Sequence, residues 1–252
     1  MYFSDEEIIV SPLPSPLTTK RVLQVCTGAA HTMILLQTGH VYAWGSNAKG
    51  QLGVGANIGH CSLPCLLYTF YDKGQIIDQI ATGGYHSVAV SYHNQVYTWG
   101  LGENGRLGHG DECTEYLPKV VSTLSRGNMV VSRMACGWEH TLVLVSRKLS
   151  AVEVEKNNNK EGSPRPLGNK INLQMSSSAS NDNTTVLVSE VYSFGKGEFG
   201  QCGHGSFDDC MTPKAIEALK NTSIVYIDGG FNHSVCLTGS GDVYCWGFGG
   251  EG

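Results

Sequence analysis

Short apolar runs recur along this chain, each followed by a turn residue and a second run that ends in an aromatic. Met33-Ile-Leu-Leu36, Ser87-Val-Ala-Val90 and Thr141-Leu-Val-Leu-Val145 are too short for stable helices and rich in β-forming residues, so they predict strands. Their partners are Val41-Tyr-Ala-Trp44, Val96-Tyr-Thr-Trp99, Val191-Tyr-Ser-Phe194 and Val243-Tyr-Cys-Trp246. Between the runs lie Thr38-Gly39, His93-Asn94 and Ser240-Gly241-Asp242, residues that tolerate the positive φ of tight hairpins. Each unit is therefore predicted to start with a hairpin.

The hairpins belong to a longer repeat. A Gly stands three residues ahead of His31, His86 and His140, and four ahead of His233; an aromatic-Gly pair closes each copy at Trp44-Gly45, Trp99-Gly100, Phe194-Gly195 and Trp246-Gly247. His31 to His86 is 55 residues and His86 to His140 is 54, while His to the second Gly is 14 in every copy but the third. In that copy the interval is 55, which leaves an insertion of 41 residues, at about 147–188. Gly-rich turns follow (Gly50-Gln-Leu-Gly53, Gly105-Arg-Leu-Gly108, Gly200-Gln-Cys-Gly203), then Pro64, Pro118 and Pro213. Further strands are expected in 75–80, 128–131 and 223–227. A fixed period of this length, built from short strands, points to propeller blades.

On these residues the chain resembles the regulator of chromosome condensation repeat family, over essentially 20–252 apart from the insertion. The resemblance implies an all-β fold, a β-propeller of which about four blades are present and seven expected when complete. The units divide as 21–79, 80–133, 134–226 and an incomplete 227–252, after an extended segment at 1–20. Without the leading and inserted residues, between three and four units of about 53 residues remain. A propeller must close to hide its sheet edges. A fragment of a longer propeller is the first expectation, and a closed four-blade ring or two self-associated half-rings the alternatives.

Charge changes the picture of partners. The chain carries 17 Lys and Arg against 22 Asp and Glu, a net charge of -5. Nucleic-acid affinity begins with clustered cations on phosphates, so direct DNA binding is not expected. The family's founding member uses a basic tail on chromatin, whereas this N-terminus has Asp5, Glu6 and Glu7. No run of about 18 apolar residues predicts a membrane-spanning helix, and no signal-peptide pattern opens the chain. The nine cysteines are odd in number and scattered, which favours reduced thiols and an intracellular protein, cytoplasmic ahead of nuclear. His60, Cys61, Cys65 and Cys113 are weighed as zinc ligands and read instead as loop thiols.

Several enzymatic readings are set aside. Gly100-Leu-Gly-Glu-Asn-Gly105 and Gly195-Lys-Gly-Glu-Phe-Gly200 match the dinucleotide fingerprint in letters, but they follow what reads as an outer strand and open no βαβ helix. The repeated histidines stand one per blade, better suited to buried hydrogen bonds than to one metal or acid-base centre. The rings at 44, 99, 194 and 246 read as blade core. The insertion holds Asn157-Asn-Asn159, Ser163-Pro-Arg-Pro166 and Ser176-Ser-Ser-Ala-Ser180, with too few large apolar residues to order itself; Ser163 before Pro164 is a phosphorylation candidate, a plain spacer the simpler reading.

What differs between copies is loop content: Asn47, Lys49, Glu103, Arg106, Lys196, Glu198 and Phe199. Loops on a rigid scaffold carry specificity, so these seven are the candidate partner contacts. No cofactor, metal or catalytic residue is expected, and the function read is a non-catalytic interaction scaffold that binds protein partners. The resemblance supplies two alternatives: a guanine-nucleotide exchange factor for a Ran-like small GTPase, although the short β-hairpin wedge of such relatives has no counterpart here, and the substrate-binding propeller of a larger ubiquitin ligase.

Overall fold

A computed structural model describes residues 17–124, 129–148 and 187–250. They form four antiparallel sheets, each following the chain in order. Blade 1 is β1 (Val22–Thr27), β2 (His31–Leu36), β3 (Val41–Ser46) and β4 (His60–Leu66); blade 2 is β5 (Ile77–Thr82), β6 (His86–Ser91), β7 (Val96–Gly100) and β8 (Glu115–Val120). Blade 3 is β9 (Met129–Cys136), β10 (His140–Lys148), β11 (Leu187–Gly195) and β12 (Cys210–Ala215). Blade 4 has three strands, β13 (Ile224–Gly229), β14 (His233–Thr238) and β15 (Val243–Gly247). The all-β propeller architecture expected from the repeats is present.

The predicted hairpins are the second and third strands of each sheet rather than its start. An inner strand precedes each one, and the aromatic-Gly strands β7 and β11 lie third in their sheets, inside β8 and β12, not at the outer edge. The outermost strands hold Pro64, Pro118 and Pro213, where a missing N–H faces away from the ladder.

Register explains the repeated glycine. His31, His86, His140 and His233 stand opposite Gly45, Gly100, Gly195 and Gly247. These glycines have φ of +103°, +105°, +115° and +111°, and a Cβ on any of them would meet a turn carbonyl oxygen at 2.4–2.5 Å. Positive φ and close approach together demand Gly.

The core lies between blades. Met33, Leu35, Val41 and Ala43 of blade 1 pack on Ile80, Ala89, Tyr97 and Trp99 of blade 2, and the same faces meet at the next two boundaries. Burying one such ring contributes roughly 2–3 kcal/mol. Leu17 covers Ile34 and Leu36 on the leading side of blade 1. Val41, Val96 and Val191 are 0–2% exposed, whereas Val243, at the same position in blade 4, is 66% exposed: the trailing face of that blade is open. The inserted residues 149–186, the Ser163-Pro164 site among them, and residues 1–16 lie outside the described residues.

Candidate functional site

The topology gives the blades two ends. One end gathers the Gly-to-His turns and the loops after the aromatic-Gly pairs, while the other gathers the hairpin tips and the connections between blades.

Three of the four repeated histidines, those of blades 1 to 3, are bonds between blades. Nε2 of His31 lies 2.9 Å from the Ser87 hydroxyl, that of His86 2.9 Å from Thr141, and that of His140 2.8 Å from Ser234. Each hydroxyl in turn donates to a backbone carbonyl, of Gln51, Arg106 or Gln201, at 2.8–3.0 Å. A carbonyl can only accept, so the hydroxyl proton is committed and the imidazole must donate from Nε2. This leaves Nδ1 as a bare acceptor, and Nδ1 of all three rings has no partner. A glycine makes room for each ring: a Cβ at Gly28, Gly83 or Gly137 would lie 1.9–2.2 Å from the imidazole Cε1. Burial holds His31 and His140 at about 4, and burial, with Arg106, His140 and His31 nearby, holds His86 well below the usual value. Such neutral, enclosed rings build structure and touch no open cleft.

The blade-core reading of the aromatics fits Trp99 and Phe194, both fully buried. Trp99 and Trp246 donate Nε1–H to the carbonyls of Gln51 and Gln201 at 3.1 and 2.9 Å, so one carbonyl serves both the ring and the hydroxyl of the following blade. Among the described residues no three His, Cys, Asp or Glu side chains are grouped to hold a metal, and no helix is long and apolar enough to cross a membrane.

The seven loop candidates divide. Asn47 is 1% exposed: its amide donates to the carbonyls of Gly55 and Ile58, and its Oδ1 accepts Leu52 N–H at 2.9 Å. Arg106 is fully buried and bonds Glu103 O, Asn104 Oδ1 and Glu139 Oε1 at 2.8–3.1 Å. These two side chains staple loops from within and offer nothing to a partner. Lys49, Glu103 and Glu198 are exposed, and Lys196 and Phe199 are half-buried. Lys196 joins Glu139 and Glu198, both at 3.0 Å, so that Arg106, Glu139, Lys196 and Glu198 form one ion chain across the boundary of blades 2 and 3. Burial pushes the Glu139 carboxyl up, but Lys196 and Arg106 outweigh it and hold it below the usual range.

Glu139 was not among the sequence candidates, nor was the aromatic row beside it. The Tyr85 and Trp138 rings meet edge to face at 5.9 Å, and Trp138 stacks on Phe231 at 4.8 Å and 25°. The signal was available, since Trp138 and Phe231 occupy the same slot two residues before His in successive Gly-to-His turns, and Tyr85 stands one residue on, directly before His86. A second pair, Phe199 and Phe248, lies 5.1 Å apart, and Phe207 is 75% exposed.

Comparisons with known proteins agree with this architecture. One sequence profile of the regulator of chromosome condensation (RCC1) repeat matches residues 38–90, 93–144 and 189–237, and a second matches 22–51, 77–106 and 224–252. The ultraviolet-B receptor UVR8 of Arabidopsis thaliana is 30% identical over 95% of this chain and 44% of its own length; the human E3 ubiquitin-protein ligase HERC2 is 32% identical over 94% of this chain and 5% of its own. Among solved structures, yeast RCC1 (Prp20) bound to Kap60 superposes with a TM-score of 0.64 at 22% identity, covering 94% of this chain and 46% of that one. Human WBSCR16 gives 0.64 at 20% identity, over 90% and 46%. The chain thus spans less than half the length of these relatives. With more than half of its residues matched and the blade geometry in place, the chain belongs to the regulator of chromosome condensation (RCC1) repeat family.

Proposed function

We propose that this chain is a non-catalytic adaptor that holds protein partners at the loop end of its blades. The observation that carries the reading is the contrast between the two residue sets. The repeated histidines of blades 1 to 3 are consumed by interblade bonds, whereas Phe199, Phe207 and Phe231, which vary from blade to blade, and Glu103 and Glu198, shared by blades 2 and 3 alone, stand at one end and reach solvent. A rigid frame with variable, accessible loops is the arrangement from which recognition is built. The relay histidines are withdrawn from water between blades, as are the Arg106 guanidinium and the Cys202 and Cys236 thiols, each serving the frame rather than a substrate, so catalysis forms no part of the reading.

The test places a photoreactive phenylalanine analogue at Phe207 or Glu198, at the loop end, and at Tyr92, which is 75% exposed on a hairpin tip at the other end. Irradiation in cells is expected to give discrete protein adducts from the loop-end positions and none from Tyr92. Equal labelling at both ends, or none, overturns the adaptor. Accelerated GDP release from a Ran-type GTPase in the presence of the purified chain would replace it with an exchange factor.

A further inference from the structure

The loop end combines exposed rings with a one-sided charge. Phe207 is 75% exposed and Phe231 58%, and Phe231 continues the stack through Trp138 to Tyr85. Around them the turns and loops of this end carry seven carboxylates, Glu103, Asp111, Glu112, Glu139, Glu198, Asp208 and Asp209, against three cations, Lys49, Arg106 and Lys196. That excess of four negative charges is gathered on one side of the blades. Two of the cations are spent internally: Arg106 is buried against Glu139, and Lys196 is held between Glu139 and Glu198. Glu103, Asp111, Glu112 and Asp208 remain exposed with no ion pair recorded among the described residues.

We infer that the loop end docks a basic protein segment, its aliphatic side chains on the Phe207, Phe231 and Trp138 rings and its Lys or Arg groups on Glu198, Asp208 and Glu103. Charge complementarity selects this occupant. An acidic segment or a nucleic-acid phosphate would meet like charge, whereas a cation gains from the carboxylates and from the faces of exposed aromatics. Carboxylates spread over neighbouring loops also steer a basic segment inward from beyond contact, an effect that salt screens. The inference rests on the adaptor reading and specifies its partner.

The probe is a short fluorescein-labelled peptide of alternating arginine and leucine, with a glutamate-leucine peptide of equal length as control, each titrated with the full chain by anisotropy. The arginine peptide is expected to bind, about tenfold more weakly for the pair Glu198→Lys with Asp208→Lys, and weaker again for Phe207→Ala with Phe231→Ala. The pair Asp72→Lys with Asp78→Lys, which makes the same change in net charge at exposed sites away from the loop end, should leave binding unchanged. Equal weakening by both lysine pairs, or tighter binding of the glutamate peptide, overturns the inference. The cellular adducts at Phe207 separate the two readings. If they persist when Glu198 and Asp208 are reversed, the adaptor stands and the basic partner falls; if they never form, the adaptor itself falls.

Discussion

Replacing Thr141 with Val tests whether the interblade relay is a principal bond of the fold. The two side chains have nearly the same shape and the same branching at Cβ, so strand preference and packing change little. The hydroxyl, however, accepts His86 Nε2–H at 2.9 Å and donates to Arg106 O at 3.0 Å, in a residue with no exposed surface. Without it a buried imidazole N–H and a buried carbonyl both lose their partner, at about 1–3 kcal/mol each. The added methyl offsets part of that, leaving an expected loss of about 2–5 kcal/mol. The control is built into the repeat. Thr32 holds the same position in blade 1, half-exposed, and its hydroxyl has no recorded partner among the described residues, so Thr32→Val should stay within about 0.5 kcal/mol. Urea unfolding followed by tryptophan fluorescence gives both values from the midpoint and slope. Thr141→Ser should recover most of the loss. Equal costs at 32 and 141, or a cost at 141 below about 0.5 kcal/mol, would refute the relay.

Acid should loosen the same bonds. The folded chain keeps His31 and His140 neutral down to about 4, so below the ordinary value near 6.5 the unfolded chain binds more protons; stability is full above pH 6.5 and falls as pH drops toward 4, on the order of 3 kcal/mol for each ring. A melting temperature unchanged between pH 7 and pH 4.5 would contradict this. Nitrogen-15 spectra of the three rings at pH 6 should show the proton on Nε2, and a proton on Nδ1 would break the relay assignment. Gly137→Ala sets a Cβ 1.9 Å from the His140 ring and should cost more than about 3 kcal/mol, whereas Gly205→Ala, at φ +74° with nothing within 4 Å, should cost about 1 kcal/mol, both read from denaturant midpoints. Arg106→Gln should be tolerated better than Arg106→Ala in a melting scan, because Gln51 and Gln201 fill the same slot in other blades and accept Lys49 N–H and Phe199 N–H at 2.8 Å.

The parts of the fold that were legible in the sequence are those with strong contrast. The hairpin strands were plain because Met33 to Leu36 and Val41 to Trp44 are apolar on both faces, each strand lying between two blades. The inner strands of blades 2 to 4 were anticipated at 75–80, 128–131 and 223–227, where buried residues such as Ile77, Ile80, Ile224 and Ile227 mark them, whereas that of blade 1 was faint: Leu23 and Val25 of β1 are 57% and 61% exposed. The outer strands were disguised by Pro64, Pro118 and Pro213, which read as strand breakers until an edge position explains them. At the loops, polarity was mistaken for accessibility. Asn47 is polar because a compact loop must satisfy its own backbone, and Arg106 occupies a slot where two other copies carry Gln, a regularity that marks scaffold. The reverse error hid Trp138 and Phe231, whose position inside a repeated motif suggested core although their rings lie at the surface end.

The relay has one more consequence. Each of His31, His86 and His140 sits in one blade and its hydroxyl in the next, and the carbonyl that ends the chain of bonds returns to the first blade. No blade contains a complete set, so a single excised repeat should be unfolded, and two consecutive repeats form the smallest piece with one full boundary. The chain then behaves as a one-dimensional array whose cooperativity resides in nearest-neighbour coupling: damage at one boundary spreads to others only through the shared blade, and loops at the acidic end are free to diversify without entering the calculation.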